Sequence, residues 1–378
     1  MARRRSSLLW SKSLQRAVGS LTRTSLRAGT KALKQATRTS VRAGTKALKQ
    51  ASSGPAGKRP KGPKIPAGRR LAGPAGAAAR VLSAASLREQ GPKDCVSGMA
   101  LGAAGARRYY LYKPPGVTVA ERLPLLVMLH GCGQNADAFA LSTRMNRVAA
   151  RERFMVLYLE QDRLANPQRC WNWYDTRSRQ AYAEAAILMA AIDQVCLLYP
   201  ADRHSVSLAG MSAGASMAAL LATRYPARFQ AVVMHSGVPP GAAGSAASAL
   251  GAMRGRREPV APAGAVAWPP LMVIQGTRDP VVAAANGAAA ARLWADAAGA
   301  DAVAPRMVQR GARLPMRVTD YKTGGRIAAT LCEIEGLAHD WSGGQAGRRF
   351  SDPRGPDASR MVWAFMQRRL QARAGTLA

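Results

Sequence analysis

The sequence predicts an α/β domain with a mostly parallel central sheet flanked by helices, preceded by a basic low-complexity N-terminal extension. From about residue 107, short apolar runs alternate with helical patterns, as in chains that alternate strands and helices. Several runs, such as LLVMLH at 125–130 and FMVLYLE at 154–160, are apolar almost throughout, which is typical of strands buried on both faces. The basic charge is concentrated in residues 1–93, so we place the globular domain at 94–378.

The elements of this domain follow one another in order. Apolar, β-rich runs predict strands at 108–112, 124–129, 154–160, 205–209, 231–235, 271–275 and 330–335. Periodic patterns predict helices at 137–152, 180–199, 214–225, 284–298 and 357–372. Ligand sites of open α/β sheets lie at the carboxyl ends of the strands. Four reactive side chains follow predicted strands and are therefore candidates: His130, Ser212, Asp279 and His339.

Most of the charge lies in the first quarter of the chain. The 378 residues carry 55 Lys and Arg against 21 Asp and Glu, a net charge of +34, while residues 1–93 hold 22 of these bases and one acid, Glu89. No run reaches 18 apolar residues, so no transmembrane segment is expected. The N-terminus also lacks the apolar core of a signal peptide. We therefore expect a cytoplasmic or granule-associated protein.

The basic segment contains a tandem repeat. Residues 22–36 recur as 37–51 with fourteen of fifteen positions identical, and a Pro- and Gly-rich linker follows. One interpretation is a solvated tail, disordered or partly helical. The other is a tether through residues 1–51 to a granule, an anionic surface or a polyanion. No aromatic residue lies between Trp10 and Tyr109, so we expect no specific nucleic-acid recognition.

Ser212 lies in the pattern Gly210-Met-Ser-Ala-Gly214, between a predicted strand and a predicted helix. Small flanking residues allow a sharp strand-to-helix turn that projects the hydroxyl at the sheet edge. The pattern alone is weak, and an idle serine in a tight turn is the alternative. A serine nucleophile also needs a base that an acid holds in orientation.

His339 and Asp279 are the candidate base and acid. Each follows a predicted strand, and the order Ser, Asp, His is that of the α/β-hydrolase triad. The chain has four histidines, and we expect His204 and His235, which flank strands, to be structural. Taken alone, Asp279 would more often be a turn residue, because Asp-Pro favours turns.

The oxyanion hole requires two preorganised backbone N–H groups. One is expected from Ala213, which follows the nucleophile, and the other from Cys132, with Gly133 as the alternative. The five cysteines show no CxxC spacing, so no metal site is predicted, and the chemistry requires no cofactor.

Together these residues resemble the polyhydroxybutyrate (PHB) depolymerase family of esterases. The matching segments lie within about 107–370 and include LHGCGQ at 129–134, CWNWY at 170–174, GMSAG at 210–214, QGTRD at 275–279 and AHDWSGG at 338–344. The resemblance implies an α/β-hydrolase fold, the triad Ser212, Asp279 and His339, and the oxyanion donor Cys132. It also implies a disulfide between Cys132 and Cys170.

The resemblance implies a serine esterase that hydrolyses PHB polymer or oligomers. Feruloyl and acetylxylan esterases share the scaffold and are the alternative, as is a granule- or polyanion-binding protein with a vestigial hydrolase domain. We expect five side chains to line the substrate cleft: His130, Trp171, Trp173, Tyr174 and Trp341. Core packing is the competing interpretation for each aromatic residue. Residues 238–268, which lack periodicity, are expected to form an irregular lid.

One position departs from the family pattern. Asp340 follows the candidate base, where the family usually has a small residue. We expect this neighbouring carboxylate to shift the acid limb of the activity profile.

Overall fold

The computed structural model describes residues 94–261 and 267–377. The repeat, the linker and the proposed tether through residues 1–51 lie outside the described residues. The domain boundary predicted at 93/94 stays a prediction for the same reason.

Within the described residues, eleven strands form one sheet, in the order β1-β2-β4-β3-β5-β6-β7-β11-β10-β8 with β9 paired to β10. Its strands are β1 Cys95–Gly102, β2 Gly105–Tyr112, β3 Leu123–Leu129, β4 Met155–Glu160, β5 Ala201–Met211, β6 Val232–His235, β7 Leu271–Gly276, β8 Asp301–Ala302, β9 Arg306–Val308, β10 Met316–Thr323 and β11 Arg326–Ile334. The six central strands, from β4 to β11, are parallel. These parallel strands confirm the predicted mostly parallel central sheet. Antiparallel strands extend the sheet on both sides.

Helices cover both faces of this sheet. They are α1 Ala136–Thr143, α2 Met145–Glu152, α3 Gln180–Leu198, α4 Ala213–Arg224, α5 Ala246–Met253, α6 Ala285–Ala298 and α7 Ala358–Leu377. One apolar core contains α3, α4 and α6 and the other α1, α2 and α7. Alternate residues of β3 enter the two cores, Leu125 and Val127 on one side and Leu126 and Met128 on the other. This explains why the strand is apolar throughout its length.

Helix α3 is long and apolar enough to cross a membrane by length and composition alone. It packs against β1, β2 and β5, and half of its apolar window is buried in the domain. A core helix of a folded domain passes the same test, and α3 has the contacts of such a helix.

Two predicted regions differ in detail from the structure. The helix expected over 137–152 is divided into α1 and α2 at Arg144, whose φ is 55° and whose guanidinium donates a hydrogen bond to the Gly343 carbonyl at 2.5 Å. The segment 238–268, expected to be irregular, contains α5, whose N-terminus carries a capping box between Ser245 and Ser248. The contact of Arg144 with Gly343 accompanies the break between α1 and α2, and the capping box marks the start of α5.

Candidate active site

Ser212 occupies a strained turn between β5 and α4. Its φ of 55° and ψ of −122° lie outside the regions that side-chain-bearing residues usually adopt. Glycine is required on both sides, at Gly210 and Gly214, because backbone atoms lie where a side chain would begin. A Cβ at Gly214 would lie 2.1 Å from the Leu129 carbonyl oxygen, and one at Gly210 would lie 2.4 Å from the Gly214 carbonyl carbon. The turn therefore presses against the end of β3.

The backbone of Ser212 is fixed while its hydroxyl makes no capping bond. Its N–H donates to the His235 carbonyl at 2.8 Å, and its carbonyl accepts the Ser216 N–H at 3.1 Å. The residue is 9% exposed, and its side chain accepts no hydrogen bond from the first turn of α4. The hydroxyl is thus not engaged as the helix cap that a serine at this position would normally provide.

His339 and Asp279 form the pair that the sequence predicts. Nδ1 of His339 lies 2.7 Å from Oδ2 of Asp279, and both side chains are almost completely buried. The other carboxylate oxygen accepts the N–H groups of Val281 and Val282, each at 2.8 Å. Burial raises the pKa of Asp279, but these hydrogen bonds and the imidazole outweigh it and hold the pKa below its usual value. The acid is therefore kept as an oriented carboxylate.

The sheet brings the three residues to one edge. The Cα register pairs Met211 with His235, His235 with Ile274, and Gly276 with Ile334. The carboxyl ends of β5, β6, β7 and β11 therefore lie side by side. Ser212 follows the first of these strands, Asp279 the third and His339 the fourth.

His235, expected to be structural, connects the two halves of the site. Its carbonyl holds the Ser212 N–H, while its Nε2 accepts the Ser342 N–H at 3.1 Å and its ring stacks on Trp341 at 5.0 Å. Ser342 is three residues beyond His339, so one buried residue anchors both the elbow, through its backbone carbonyl, and the loop of the candidate base, through its imidazole. Burial lowers the pKa of His235 to about 3, which keeps the ring neutral.

The loop after β3 lies beside the elbow. A Cβ built on Gly131 would be 3.5 Å from the Ser212 Cβ. The Gly133 N–H donates to the Gln168 carbonyl at 2.8 Å, and Gln134 closes the loop through its side-chain oxygen on the Gly131 N–H at 3.0 Å. The Gly133 N–H, the alternative oxyanion donor, is therefore occupied. Ala213 begins α4, where helical N–H groups have no intrahelical acceptor.

Cys132 and Cys170 are joined by a disulfide, the pair that the family resemblance implies. It ties the loop after β3 to the CWNWY segment. The Trp171 Nε1–H also donates to the His130 carbonyl at 2.9 Å, which joins the same two loops a second time.

Three of the residues expected in the cleft lie in the interior instead. His130, Trp171 and Trp341 have no exposed surface. The Trp341 Nε1–H donates to Ser359 at 3.1 Å, and Nε2 of His130 accepts the Gln161 N–H at 3.1 Å. Since their polar atoms are satisfied inside the protein, these rings pack the core, and the prediction that they line the cleft is wrong.

Trp173 and Tyr174 are placed differently from those three. Trp173 is 8% exposed and Tyr174 is partly buried, and their rings meet edge to face at 5.6 Å. Trp173 belongs to the buried core, and Tyr174 packs against it. Their role in a cleft stays a prediction.

A buried carboxylate supports the CWNWY segment, and sequence reasoning missed it. Glu184 of α3 is fully buried, accepts the Asn172 N–H at 2.7 Å and the Gln161 side-chain amide at 2.6 Å, and pairs with Arg107 of β2 at 2.5 Å. The signal was a single acidic residue in the largely apolar stretch 181–192 of this helix, because a charge there is buried only with partners.

The fold and this edge of the sheet define the class, an α/β-hydrolase. The chain belongs to the esterase PHB depolymerase family, whose sequence model matches residues 107–307. The matched region contains Ser212 and Asp279 and ends before His339.

Curated relatives include an esterase and a depolymerase. Feruloyl esterase B of Neurospora crassa is 31% identical over 144 residues, 38% of this chain and 48% of that protein. Poly(3-hydroxyalkanoate) depolymerase C of Paucimonas lemoignei is 29% identical over 150 residues, 39% of this chain and 36% of that protein. The chain thus spans less than half the length of either relative.

Among solved structures, the acetyl xylan esterase from Aspergillus awamori superposes with a TM-score of 0.56 at 17% identity. The superposition covers 65% of this chain and 94% of the esterase. This likeness shows the shared fold.

Proposed function

We propose that the protein hydrolyses carboxylic esters with Ser212 as nucleophile, His339 as general base and Asp279 as the orienting acid. The proposal is carried by the 2.7 Å contact between His339 and Asp279 at the sheet edge that also bears the serine elbow. With its proton on Nδ1, His339 donates to Asp279 and keeps Nε2 free to accept the serine proton.

The reaction proceeds through an acyl-enzyme. Ser212 attacks the ester carbonyl, His339 takes the hydroxyl proton and then gives it to the leaving alcohol, and water releases the acid by the same steps. The N–H groups of Ala213 and Cys132 stabilise the tetrahedral oxyanion. The occupied Gly133 N–H supports Cys132 over Gly133 as the second donor. These steps need no cofactor.

We propose a polyhydroxyalkanoate, as polymer or oligomer, as the substrate. The relative named poly(3-hydroxyalkanoate) depolymerase C supports this choice. A feruloyl or acetylxylan ester is the second candidate, supported by the relatives named feruloyl esterase B and acetylxylan esterase A. In either case Trp173, which keeps 8% of its surface exposed, and the partly buried Tyr174 would contact the acyl group.

Residues 1–51 would hold the protein on the polymer granule. The support is the sequence alone, since eight lysines and arginines lie at repeated positions in 22–51 without an acidic residue.

Release of soluble 3-hydroxybutyrate from amorphous PHB granules tests the catalytic proposal. Ser212→Ala should lower the rate at least about 10³-fold without changing the melting temperature, because the nucleophile is lost from a folded protein. Ser97→Ala, a change at an exposed serine of β1, is the matched control and should keep full activity. Retained activity in Ser212→Ala would refute the triad.

The same assay separates the substrates and tests the tether. Cleavage of p-nitrophenyl butyrate without release from granules would keep the mechanism and move the substrate to soluble esters. Neutralising the eight basic residues of 22–51 should lower granule release and leave p-nitrophenyl butyrate cleavage unchanged. Equal granule release would refute the tether.

A further inference from the structure

A cavity of about 850 Å³ lies away from the candidate active site. It is bounded by α1, α2, α7 and the strands β7, β9, β10 and β11, on the face of the sheet opposite α3, α4 and α6. Ser212, Asp279 and His339 are not among its lining residues. Its volume falls in the range of ligand pockets, which is about 300–1,000 Å³.

The walls of this cavity are strongly cationic. Eight arginines line it against a single acidic residue, Asp357. Three of the arginines have acidic partners, since Arg151 pairs with Glu152, Arg306 with Asp320, and Arg360 with Asp357.

Five arginines remain without a carboxylate partner among the residues described. Arg144 and Arg313 donate to backbone carbonyls, of Gly343 and Gly355 respectively. Arg147, Arg310 and Arg368 are exposed, and no ion pair joins them to another residue in the described part of the chain. Guanidinium groups gathered around one cavity favour an anionic ligand, because they bind carboxylates and phosphates in bidentate geometry.

The floor of the cavity is apolar. It is formed by Met272, Met316 and Val318 of the sheet and by Val148 of α2, with the exposed Ala364 of α7 at one side. These floor side chains keep only 3–8% of their surface exposed, and an aliphatic chain would cover that remainder together with Ala364, whereas a simple inorganic anion would not.

We propose that this cavity binds an amphiphilic carboxylate, in which an aliphatic chain lies on the methionine and valine floor and the carboxylate pairs with the arginine wall. The charge of the wall and the apolarity of the floor together select this class of ligand over either a bare anion or a neutral lipid. The inference is independent of the proposed ester hydrolysis.

Binding of dodecanoate to the full chain tests the proposal. It is measured by titration calorimetry, with dodecanoate kept below its critical micelle concentration. One saturable site is expected. Butyrate, which has the head without the tail, and dodecyl maltoside, which has the tail without the charge, should each bind at least about tenfold more weakly. Equal binding of butyrate would indicate an anion site, and equal binding of dodecyl maltoside would indicate an apolar one; either would overturn the proposal.

Two variants assign the binding to the cavity. The triple change Arg147→Gln, Arg310→Gln, Arg368→Gln should weaken dodecanoate binding at least about tenfold, since it removes the unpaired guanidinium groups. Ala364→Trp should also weaken it by filling the cavity from an exposed position. Neither change alters a buried residue, so melting temperatures should be unchanged.

A matched control separates the cavity from the basic surface of the whole chain. The triple change Arg203→Gln, Arg256→Gln, Arg326→Gln removes the same charge from exposed arginines outside the cavity. It should leave dodecanoate binding unchanged. Equal losses in both triple variants would show non-specific attraction, and tight binding of polyphosphate at the same site would indicate a polyanion instead; both results would overturn the proposal.

Discussion

The buried imidazole of His235 makes the stability of the domain sensitive to acid. Its ring has no exposed surface, and burial lowers its pKa from an ordinary 6.5 to about 3. In the unfolded chain the same ring takes up a proton near pH 6.5. Because the folded-state pKa is the lower one, the stabilisation is complete above pH 6.5 and is lost as the pH falls towards 3.

The size of the effect follows from these two values. One pKa unit corresponds to about 1.36 kcal/mol, so between pH 7 and pH 5 His235 should lower the free energy of unfolding by about 2 kcal/mol. His130 is equally buried, burial lowers its pKa to about 4, and it should contribute about 2 kcal/mol more over the same interval.

Urea unfolding at pH 7 and pH 5, detected by tryptophan fluorescence, measures how the free energy of unfolding changes with pH. Glutamine can place its oxygen near Nε2, where the Ser342 N–H donates, without titrating. His235→Gln should therefore reduce the pH-dependent loss by about 2 kcal/mol, whatever its effect at pH 7. His204→Gln, at an exposed histidine, is the control and should behave as the wild type. An equally steep loss in His235→Gln would refute the reasoning.

Three further changes probe the candidate site. Asp279→Asn should lower kcat for p-nitrophenyl butyrate by about 10³–10⁴-fold with little change in KM, because the imidazole loses its orienting carboxylate; a change under tenfold would contradict that role. Gly214→Ala should reduce soluble yield or lower the melting temperature by many degrees, since its Cβ would lie 2.1 Å from the Leu129 carbonyl oxygen. The control is Gly251→Ala in α5, where the nearest atom to the new Cβ would be Arg257 Cδ at 3.5 Å, and this change should be neutral. Asp340→Ala should move the acid limb of the pH–rate profile, and an unchanged profile would exclude an effect of this carboxylate on the base.

The central sheet could be predicted because its signal is local. Strands buried on both faces are apolar in every position, so β3, β4 and β7 were predicted to within a residue or two. The antiparallel strand β1 was not predicted. Its residues are mostly exposed or half-buried, and it is held by pairing with β2 rather than by its own pattern. The two strands form a hairpin that closes between Gly102 and Gly105, and this pairing requires no apolar run in β1.

Some features of the candidate site could likewise be predicted from the sequence, and others could not. Asp279 and His339 were predicted as partners because strand ends meet at one edge of a parallel sheet. The sequence could not tell a fully buried tryptophan from one that keeps some exposed surface, since Trp171 and Trp173 stand two residues apart in one motif. The difference arises because the Trp171 indole reaches the His130 carbonyl in the interior.

The position of His339 has a consequence for how the site is assembled. Ser212 and Asp279, the proposed nucleophile and acid, follow β5 and β7, whereas His339, the proposed base, follows β11, which pairs with β7 along Ala329–Ile334. The stretch that matches the family's sequence model, 107–307, contains the serine elbow and Asp279 but ends before His339. During synthesis Ser212 is thus made more than 120 residues before His339, and the proposed triad is complete only when β11 has joined the sheet.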